Sequence, residues 1–296
     1  MKTTFSLIKR NVKMFFKDKV MFFTSLITPL ILLVLYATFL AKVFKTSIKD
    51  NFNGAPISNK ALNALVGGQL VSSLMSIICI TVSFCSNMLM VQDKANGTIK
   101  DFNVSSVSQN KLSIAYFAAS FIATLIICYV ALALSFVYLI IMGWYLTFTD
   151  VILLILDTFL SVAFGTALSS VIHSFLSTQG QISTVGTIVS AGYGFICGAY
   201  MPIASFSTVL QKILIFLPST YATNLFRIHS VTSTLKSLDG VPQQAITSLK
   251  QGLDIQLSFF GNTVSPVASF IVLITSTIVL IGVFLLINLL KNKKKK

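Results

Sequence analysis

Long apolar runs separated by short polar stretches dominate the chain. A helix needs roughly 20 apolar residues to cross a bilayer, and most of these runs reach or exceed that length. The runs are continuous and do not alternate between polar and apolar residues, so they favour spanning helices over barrel strands. We therefore predict an all-α polytopic membrane protein with a single transmembrane domain over residues 1–296. The six predicted spans are residues 20–44, 65–91, 113–143, 151–176, 181–201 and 264–290.

The first 19 residues have a different pattern. Apolar residues recur there at spacings of three and four, and basic residues take the opposite face. This period is typical of an amphipathic helix that lies in the membrane interface, with its lysines among the lipid headgroups. Residues 1–19 are therefore predicted to form an interfacial helix. Its apolar face consists of Phe5, Ile8, Val12, Phe15 and Phe16, and its basic face of Lys9, Arg10, Lys13 and Lys17.

A polar segment at residues 92–112 lies between the second and third predicted spans. Within this segment, Gly97 permits a sharp turn and Thr98 can cap a helix that follows. A short helix held between two spans can transmit a rigid-body movement from a partner protein. An ordinary loop is the alternative interpretation of the same residues.

Two prolines interrupt the apolar pattern after the fifth predicted span. Residues 203–226 are apolar, but Pro202 and Pro218 leave too few residues between them for a crossing. Short apolar segments between helix breakers dip into the membrane and return, or lie at its interface. We expect a re-entrant helical pair at the outer leaflet, followed by an extracellular loop at residues 227–263.

Small residues are concentrated in the second and fifth predicted spans. Because small residues let helices approach closely in lipid, we expect these two spans to face protein. In the fifth span, Gly194 and Gly198 have the small-xxx-small spacing. The second span contains Ser72, Ser73, Ser76, Ser83 and Ser86.

Composition and charge add an orientation to this topology. The chain is 55% hydrophobic and 10% charged, with a net charge of +14, and all eight acidic residues are Asp. Short loops rich in Lys and Arg remain in the cytoplasm, so the charge predicts a multi-pass protein of the cell membrane with both termini and residues 92–112 inside. The basic residues on that side are Lys2, Lys9, Arg10, Lys13, Lys17, Lys19, Lys94, Lys100, Lys111, Lys291 and those at 293–296.

The sequence has few signs of chemistry of its own. All four cysteines fall within apolar runs, which favours small buried residues over disulfides or a zinc site. The only histidines, His173 and His229, are predicted on opposite sides of the membrane, so we expect no metal site built from both. No Gly-x-x-x-x-Gly-Lys-Ser/Thr sequence occurs, so the chain does not bind ATP by that route. We expect no cofactor on this chain.

Two passages resemble elements of the type-two ATP-binding-cassette (ABC-2) exporter permeases, a family that includes daunorubicin exporters. Residues 93–101, Asp-Lys-Ala-Asn-Gly-Thr-Ile-Lys-Asp, are similar to the family's acidic-x-x-x-Gly-Thr-Leu-acidic element. Residues 198–202, Gly-Ala-Tyr-Met-Pro, are similar to its Ser-Gly-x-x-x-Pro element. Residues 217–222, Leu-Pro-Ser-Thr-Tyr-Ala, together with Arg227, resemble its Asn-Pro-x-Thr-Tyr and Arg.

This resemblance implies the transmembrane subunit of an ATP-driven exporter of an amphipathic or lipid-like compound. ATP and Mg²⁺ would be held by two copies of a separate ATPase subunit, and nucleic acid would not be a partner. A second permease chain, in a homodimer, is implied as well, with substrate near a seam formed by the second and fifth spans. The implied residues for coupling to the ATPase are Asp93, Gly97, Thr98, Lys100 and Asp101. Those of the outer gate are Gly198, Pro202, Pro218, Tyr221 and Arg227.

Three further residues are candidates for the substrate pathway. Asp157 lies within the fourth predicted span, where an ionisable group is costly and faces a cavity or a partner. Contact with substrate and a structural bond to a Ser, Thr or Tyr of another span are both open for it. Phe195 and Tyr200 belong to a set of aromatic and apolar residues that suit an amphipathic cargo better than an ion.

Three other classes of protein are compatible with a polytopic chain. A secondary transporter normally has inverted repeats and several intramembrane ionisable groups, whereas this chain has one convincing case. A membrane-embedded enzyme needs a polar catalytic cluster at one depth, and the sequence indicates none. An immunity or scaffold protein that only sits in the membrane would tolerate bulky residues at Gly97 and Thr98.

Overall fold

The computed structural model describes residues 2–51, 57–104, 107–238 and 241–293, and nearly all of them are helical. Part of the predicted segments 92–112 and 227–263 and the end of the basic tail lie outside these ranges. The first helices are α1 Lys2–Lys17, α2 Lys19–Leu35, a π-helical turn Tyr36–Leu40, α3 Ala41–Asn51, α4 Asn59–Ala95, α5 Thr98–Val104, α6 Gln109–Met142 and α7 Phe148–Phe175. They are followed by α8 Gln179–Ile196, a 3₁₀ turn Ile203–Ser205, α9 Thr208–Leu214, α10 Pro218–Lys236, α11 Gln243–Gly252, the hairpin strands β1 Ser258–Phe259 and β2 Asn262–Thr263, and α12 Pro266–Lys293.

Within the described ranges, five helical segments are long and apolar enough to cross a membrane. The prediction of an all-α polytopic membrane protein is therefore confirmed. Helix α8, which occupies the position of the fifth predicted span, is not one of the five, and it ends at Ile196 instead of residue 201. The count of six spans stays a prediction. The five segments are Lys19–Thr46, α4, α6, α7 and Pro266–Lys291.

Helix α4 is the centre of the bundle. Almost all of its residues are buried against helices of the same chain, namely α2, α6, α7, α8 and α10. Its small residues therefore pack inside one subunit, and the prediction that the second span contributes to a seam between two chains is wrong. Hydroxyl groups are placed there because they hydrogen bond within the helix or to α6 and α7, as Ser86 does with Thr124 at 3.0 Å.

Two adjacent glycines of α4 provide a matched test of this close packing. A Cβ atom at Gly68 would lie 2.7 Å from the backbone oxygen of Ser230 in α10, whereas one at Gly67 would meet only side-chain atoms, at 3.3 Å or more. We expect Gly68→Ala to destabilise the protein by about 2 kcal/mol, because α10 must move. Gly67→Ala should change stability by less than about 1 kcal/mol, since alanine favours the helix. Thermal unfolding in detergent measures both, and equal effects would contradict the packing.

The predicted extracellular loop 227–263 is in large part not a loop. Helix α10 continues to Lys236, and α11 and a short hairpin follow. Most polar residues of α10 are buried, as Ser230 is, which donates to the Gly68 carbonyl at 3.0 Å. The half-buried Ser233 donates to Asp150 at 2.5 Å. Polarity here reflects internal hydrogen bonding and not exposure to water.

The first span also extends further than predicted. Pro29 lies inside α2 without ending it, and helical structure continues through the π-helical turn to Asn51, beyond the predicted residue 44. Tyr36 in that turn donates a hydrogen bond to the Val66 carbonyl of α4 and stacks on Phe44. These contacts attach the second half of the first span to the centre of the bundle.

Candidate functional site

Asp93, near the end of α4, is the centre of a buried cluster at one end of the bundle. Its carboxylate accepts hydrogen bonds from Arg10 of α1, at 2.8 and 3.4 Å, and from the hydroxyl of Tyr116 of α6, at 2.5 Å. A buried carboxylate needs such partners, because an unpaired charge is costly away from water. Asp93 therefore joins three helices through a buried carboxylate, and its role in coupling stays a prediction.

Arg10 extends this cluster to α5. Its guanidinium donates to Asn11 Oδ1 at 2.8 Å and lies 5.3 Å from the centre of the Phe102 ring, a cation–π contact. Burial alone would lower the pKa of Arg10, but the hydrogen bond and charge of Asp93 raise that pKa above its ordinary value. Arg10 thus remains charged. Arg10 belongs to the predicted basic face of the first helix, and its side chain turns toward the bundle.

The turn between α4 and α5 follows the sequence prediction closely. Gly97 has a φ of +82°, a left-handed conformation that favours glycine, and its N–H donates to the Lys94 carbonyl at 3.2 Å. Helix α5 begins at Thr98, so Thr98 is the first helical residue and not the capping residue before it. Asp101 is exposed in the first turn of α5, where a negative charge is favourable. Lys100 also belongs to α5, and its side chain lies outside the described residues.

Lys94 fixes the same end of α4 to another helix. Its ammonium group donates to the carbonyl oxygens of His173, Ser174 and Leu176, at 3.1, 3.4 and 3.2 Å. These carbonyls lie at the end of α7, where a helix leaves carbonyl groups short of N–H donors, and Lys291 of α12 also donates to the Ser174 carbonyl. Two cations thus satisfy the negative end of α7. Residues 93 and 94 together connect α4 with α1, α6 and α7 at the turn that precedes α5, and Lys291 adds α12.

A second buried cluster lies at the opposite end of the bundle, around Arg227 of α10. This side chain is 1% exposed; it donates to Asp254 at 2.8 Å and to the carbonyl oxygen of Gly198. Asp254 also accepts hydrogen bonds from the N–H groups of Ile203, at 2.5 Å, and Ala204, at 3.1 Å. One ion pair therefore holds together the end of α8, the 3₁₀ turn, α10 and the segment after α11.

Gly198 has a particular role in that cluster. It follows the end of α8 with a φ of +74°, and its N–H donates to the Phe195 carbonyl at 3.2 Å, while the Ala199 N–H donates to Gly194 at 2.9 Å. This is the Schellman arrangement, which turns the Gly198 carbonyl out of the helix. Because Gly198 lies beyond α8, its predicted small-xxx-small pairing with Gly194 on one helix is wrong.

The structure brings together only some of the predicted outer-gate residues. Pro202 directly precedes the 3₁₀ turn that Asp254 binds, so it joins Gly198 and Arg227. Pro218 is the first residue of α10, and Tyr221 is buried among Ile215 and Leu257 in a separate apolar cluster. Their connection to the Arg227 cluster is through helix α10.

Sequence reasoning missed two residues of this cluster, Asp254 and Asn224. The Asn224 amide donates to the carbonyls of Asp254 and Ile255, at 2.9 and 3.0 Å, and accepts from Ser269 of α12. One signal was available for Asp254: it is one of eight acidic residues in the chain and lies in the segment that follows Arg227. Arg227 and Asp254 are 27 residues apart, so no local sequence pattern indicates that they form a pair.

The three predicted pathway residues do not form one site. Asp157 is completely buried, and its carboxylate lies 2.6 Å from Nδ1 of His229 in α10. Its partner is thus a histidine, where the sequence indicated a Ser, Thr or Tyr. Phe195 and Tyr200 pack edge to face at 5.0 Å, at the end of α8. Among the described residues, no group of three or more His, Cys, Asp or Glu side chains could hold a metal ion.

A cavity of about 540 Å³ lies between α2, α4 and α8. Its wall is mainly apolar, and Gln92 and Gln179 contribute polar groups from the two helix ends near the Asp93 cluster. Among the described residues, its lining includes none of the predicted pathway residues. The apolar residues that line it include Met21, Ile27, Ile31, Met88 and Ile182.

These features define a polytopic helical membrane protein. At one end of its bundle, the basic helix α1 and the short helix α5 are joined through Arg10. At the other end, the short segments between α8 and α12 are held by the Arg227 cluster. A family model described as ABC-2 type transporter matches residues 2–229, which is most of the chain. The chain therefore belongs to the ABC-2 type transporter family, as the resemblance of the two passages implied. A comparison with curated proteins found no match. The matched residues include Asp93 and Arg227, whereas Asp254 lies beyond them.

Proposed function

We propose that this chain is the transmembrane subunit of an ATP-driven exporter that moves an amphipathic or lipid-like compound out of the cell. Permeases of the ABC-2 family generally work with ABC ATPases, and here two copies of a separate ATPase would hold ATP and Mg²⁺. The permease would be a homodimer in the cell membrane, with both termini in the cytoplasm. The observation that carries the proposal is the Asp93 cluster, because it joins a cytoplasmic turn to the spanning helices.

The ATPase would act on the exposed surface of the turn, at Ala95, Asn96 and Asp101. A push there moves α5 together with α4, since the Gly97 turn is only a few residues long. It also moves α1 and α6, because Arg10 and the buried Asp93 connect these helices. Rigid-body motion of this kind is a common means of switching between two states.

The Arg227 cluster would act as the gate at the outer end. It holds the end of α8 against α10 through the buried Arg227–Asp254 ion pair. A partly broken pair would leave a buried charge without a partner, which is costly, so intermediate states are disfavoured. Separation of α8 from α10 would open that end in one step. The proposal therefore assigns the two clusters to input and release, at opposite ends of the same bundle.

The cavity between α2, α4 and α8 would be part of the substrate pathway. Its volume of about 540 Å³ is typical of sites for small molecules. Apolar walls with Gln92 and Gln179 at one end suit an amphipathic compound. The seam with a second copy would then involve α8 and α2 and not α4, and Phe195 and Tyr200 remain candidates for the outer part of the pathway.

Co-purification with a candidate partner ABC ATPase from the same organism tests the proposed function. We expect the two chains to associate and the permease to alter ATP hydrolysis. Asp101→Arg should weaken the association and lower the stability by at most about 1 kcal/mol, because Asp101 is exposed and its charge interacts with the start of α5. Gln244→Arg, an exposed position on α11 at the other end, is the matched control and should have no effect. If the wild-type chain neither binds the ATPase nor changes its activity, the proposal fails.

A further inference from the structure

Three phenylalanines form a cluster at the end of the bundle opposite α1, and we call Phe216, Phe259 and Phe260 the aromatic tip. Phe216 and Phe260 are exposed, whereas Phe259 is half-buried beneath them. The ring of Phe216 lies 5.4 Å from that of Phe259 and 5.8 Å from that of Phe260, and the latter two rings are 4.9 Å apart. Phe216 and Phe260 are each 62% exposed. Large aromatic groups exposed together indicate contact with something other than water.

Helix α9 extends this apolar surface. Val209, Leu210 and Ile213 are all exposed, and the exposed Phe216 follows in the turn just after α9 ends. The other face of α9 lines a cavity of about 500 Å³ between this helix and the hairpin, and it contributes polar side chains there. A helix that is apolar on its outer face and polar on its inner face is typical of the membrane interface. The residues of α9 that line the cavity are Thr208, Gln211 and Lys212.

The backbone conformation at position 260 is unfavourable for phenylalanine. Phe260 has a φ of +47° and Gly261 a φ of +88°, so both residues of this two-residue turn are left-handed. Asn-Gly or Gly-Gly is preferred in such turns, and the left-handed region costs a residue with a side chain about 1 kcal/mol. The local fold does not benefit from the phenylalanine, which suggests that its ring has a role outside the hairpin.

We propose that the aromatic tip is inserted into the lipid of the leaflet at this end of the bundle, the outer leaflet in the topology proposed above. The hairpin leads directly into α12, a spanning helix whose exposed side includes Val267 and Ile271. That side contacts lipid, so the tip lies at the depth where the bilayer begins. The apolar face of α9 continues the same surface, and Lys212 lies on the side of the headgroups. Lipid would thus support α9 and the hairpin beside the Arg227 cluster.

Tryptophan fluorescence in lipid vesicles tests this insertion. Phe260→Trp is made in a Trp144→Phe background, because Trp144 is the only native tryptophan. We expect phospholipid brominated near the headgroup end of its acyl chains to remove most of the emission, and iodide in the water to remove little. Gln244→Trp, exposed on the polar helix α11, is the control and should show the reverse.

Two outcomes would overturn the proposal. Quenching of Trp at position 260 by iodide but not by brominated lipid would place the tip in water. Quenching by neither would show that another protein surface, such as a second copy of the chain, covers it. The measurement requires no ATPase and no transport, so failure of the proposed export function would leave its result unchanged. Phe216→Trp provides a second position, and it should behave as Phe260→Trp does.

Discussion

Asp93→Ala is expected to abolish transport and to lower stability more than any other single change at the α1 end of the bundle. The substitution leaves Arg10 and the Tyr116 hydroxyl without their common partner. Removing one member of a buried ion pair costs about 3–5 kcal/mol, and the partial exposure of Arg10 reduces this to about 3 kcal/mol here. Thermal unfolding in detergent and transport into vesicles that contain the partner ATPase measure the two effects.

Two further variants separate structure from coupling. Arg10→Lys retains the charge but loses the paired hydrogen bonds and the contact with Phe102, so it should keep most of the stability and lose most of the transport. Lys9→Ala, at the exposed neighbouring position, is the control and should change neither. Wild-type transport by Arg10→Lys would show that the cluster only stabilises the fold.

Arg227→Met is expected to have the largest effect at the end of the bundle opposite α1. It removes a wholly buried cation and leaves the Asp254 carboxylate paired only with the N–H groups of the 3₁₀ turn. The expected loss of stability is about 3–5 kcal/mol. Thermal unfolding of the purified chain provides the measurement, and the yield of folded protein should fall with it.

A double-mutant cycle tests whether the charge pair itself is responsible. Asp254→Asn removes the charge and keeps an oxygen that can accept from the backbone, so the double variant with Arg227→Met should be more stable than Arg227→Met alone. A double variant that is less stable than Arg227→Met would mean that packing, and not the uncompensated charge, dominates. Lys212→Met, a cation on nearby α9 without a carboxylate partner among the described contacts, should cost little by comparison.

Much of the fold could be predicted from apolar run length alone. The helices α4, α6, α7 and α12 lie where long apolar runs predicted them, because a bilayer leaves a continuous apolar segment few alternatives to a helix. The turn at Gly97 was predictable for a different reason. Glycine between two helical segments marks a left-handed residue, and its φ of +82° agrees.

Partners of buried polar residues could not be predicted in the same way. Arg10 has the same spacing as the lysines of α1, yet only Arg10 turns to a carboxylate 83 residues away. The pairs Asp157–His229 and Arg227–Asp254 likewise join distant segments. A hydropathy pattern predicts that such polar residues are exposed to water, because it contains no information on which polar groups form hydrogen bonds with one another. That is why helix α10 was expected to end as a loop at residue 227.

The amino-acid sequence by itself determined that this protein is a multi-pass helical membrane protein, where its longest helices lie and to which family it belongs. These properties depend on local composition and on short passages that can be read in one place. Only the tertiary structure decided which span is central, that the side chain of Asp93 is buried inside the bundle, and that Asp254 completes the cluster around Arg227. The physical reason is that each of these depends on which charges and hydroxyl groups come within about 3 Å of one another, and this follows from the packing of distant helices.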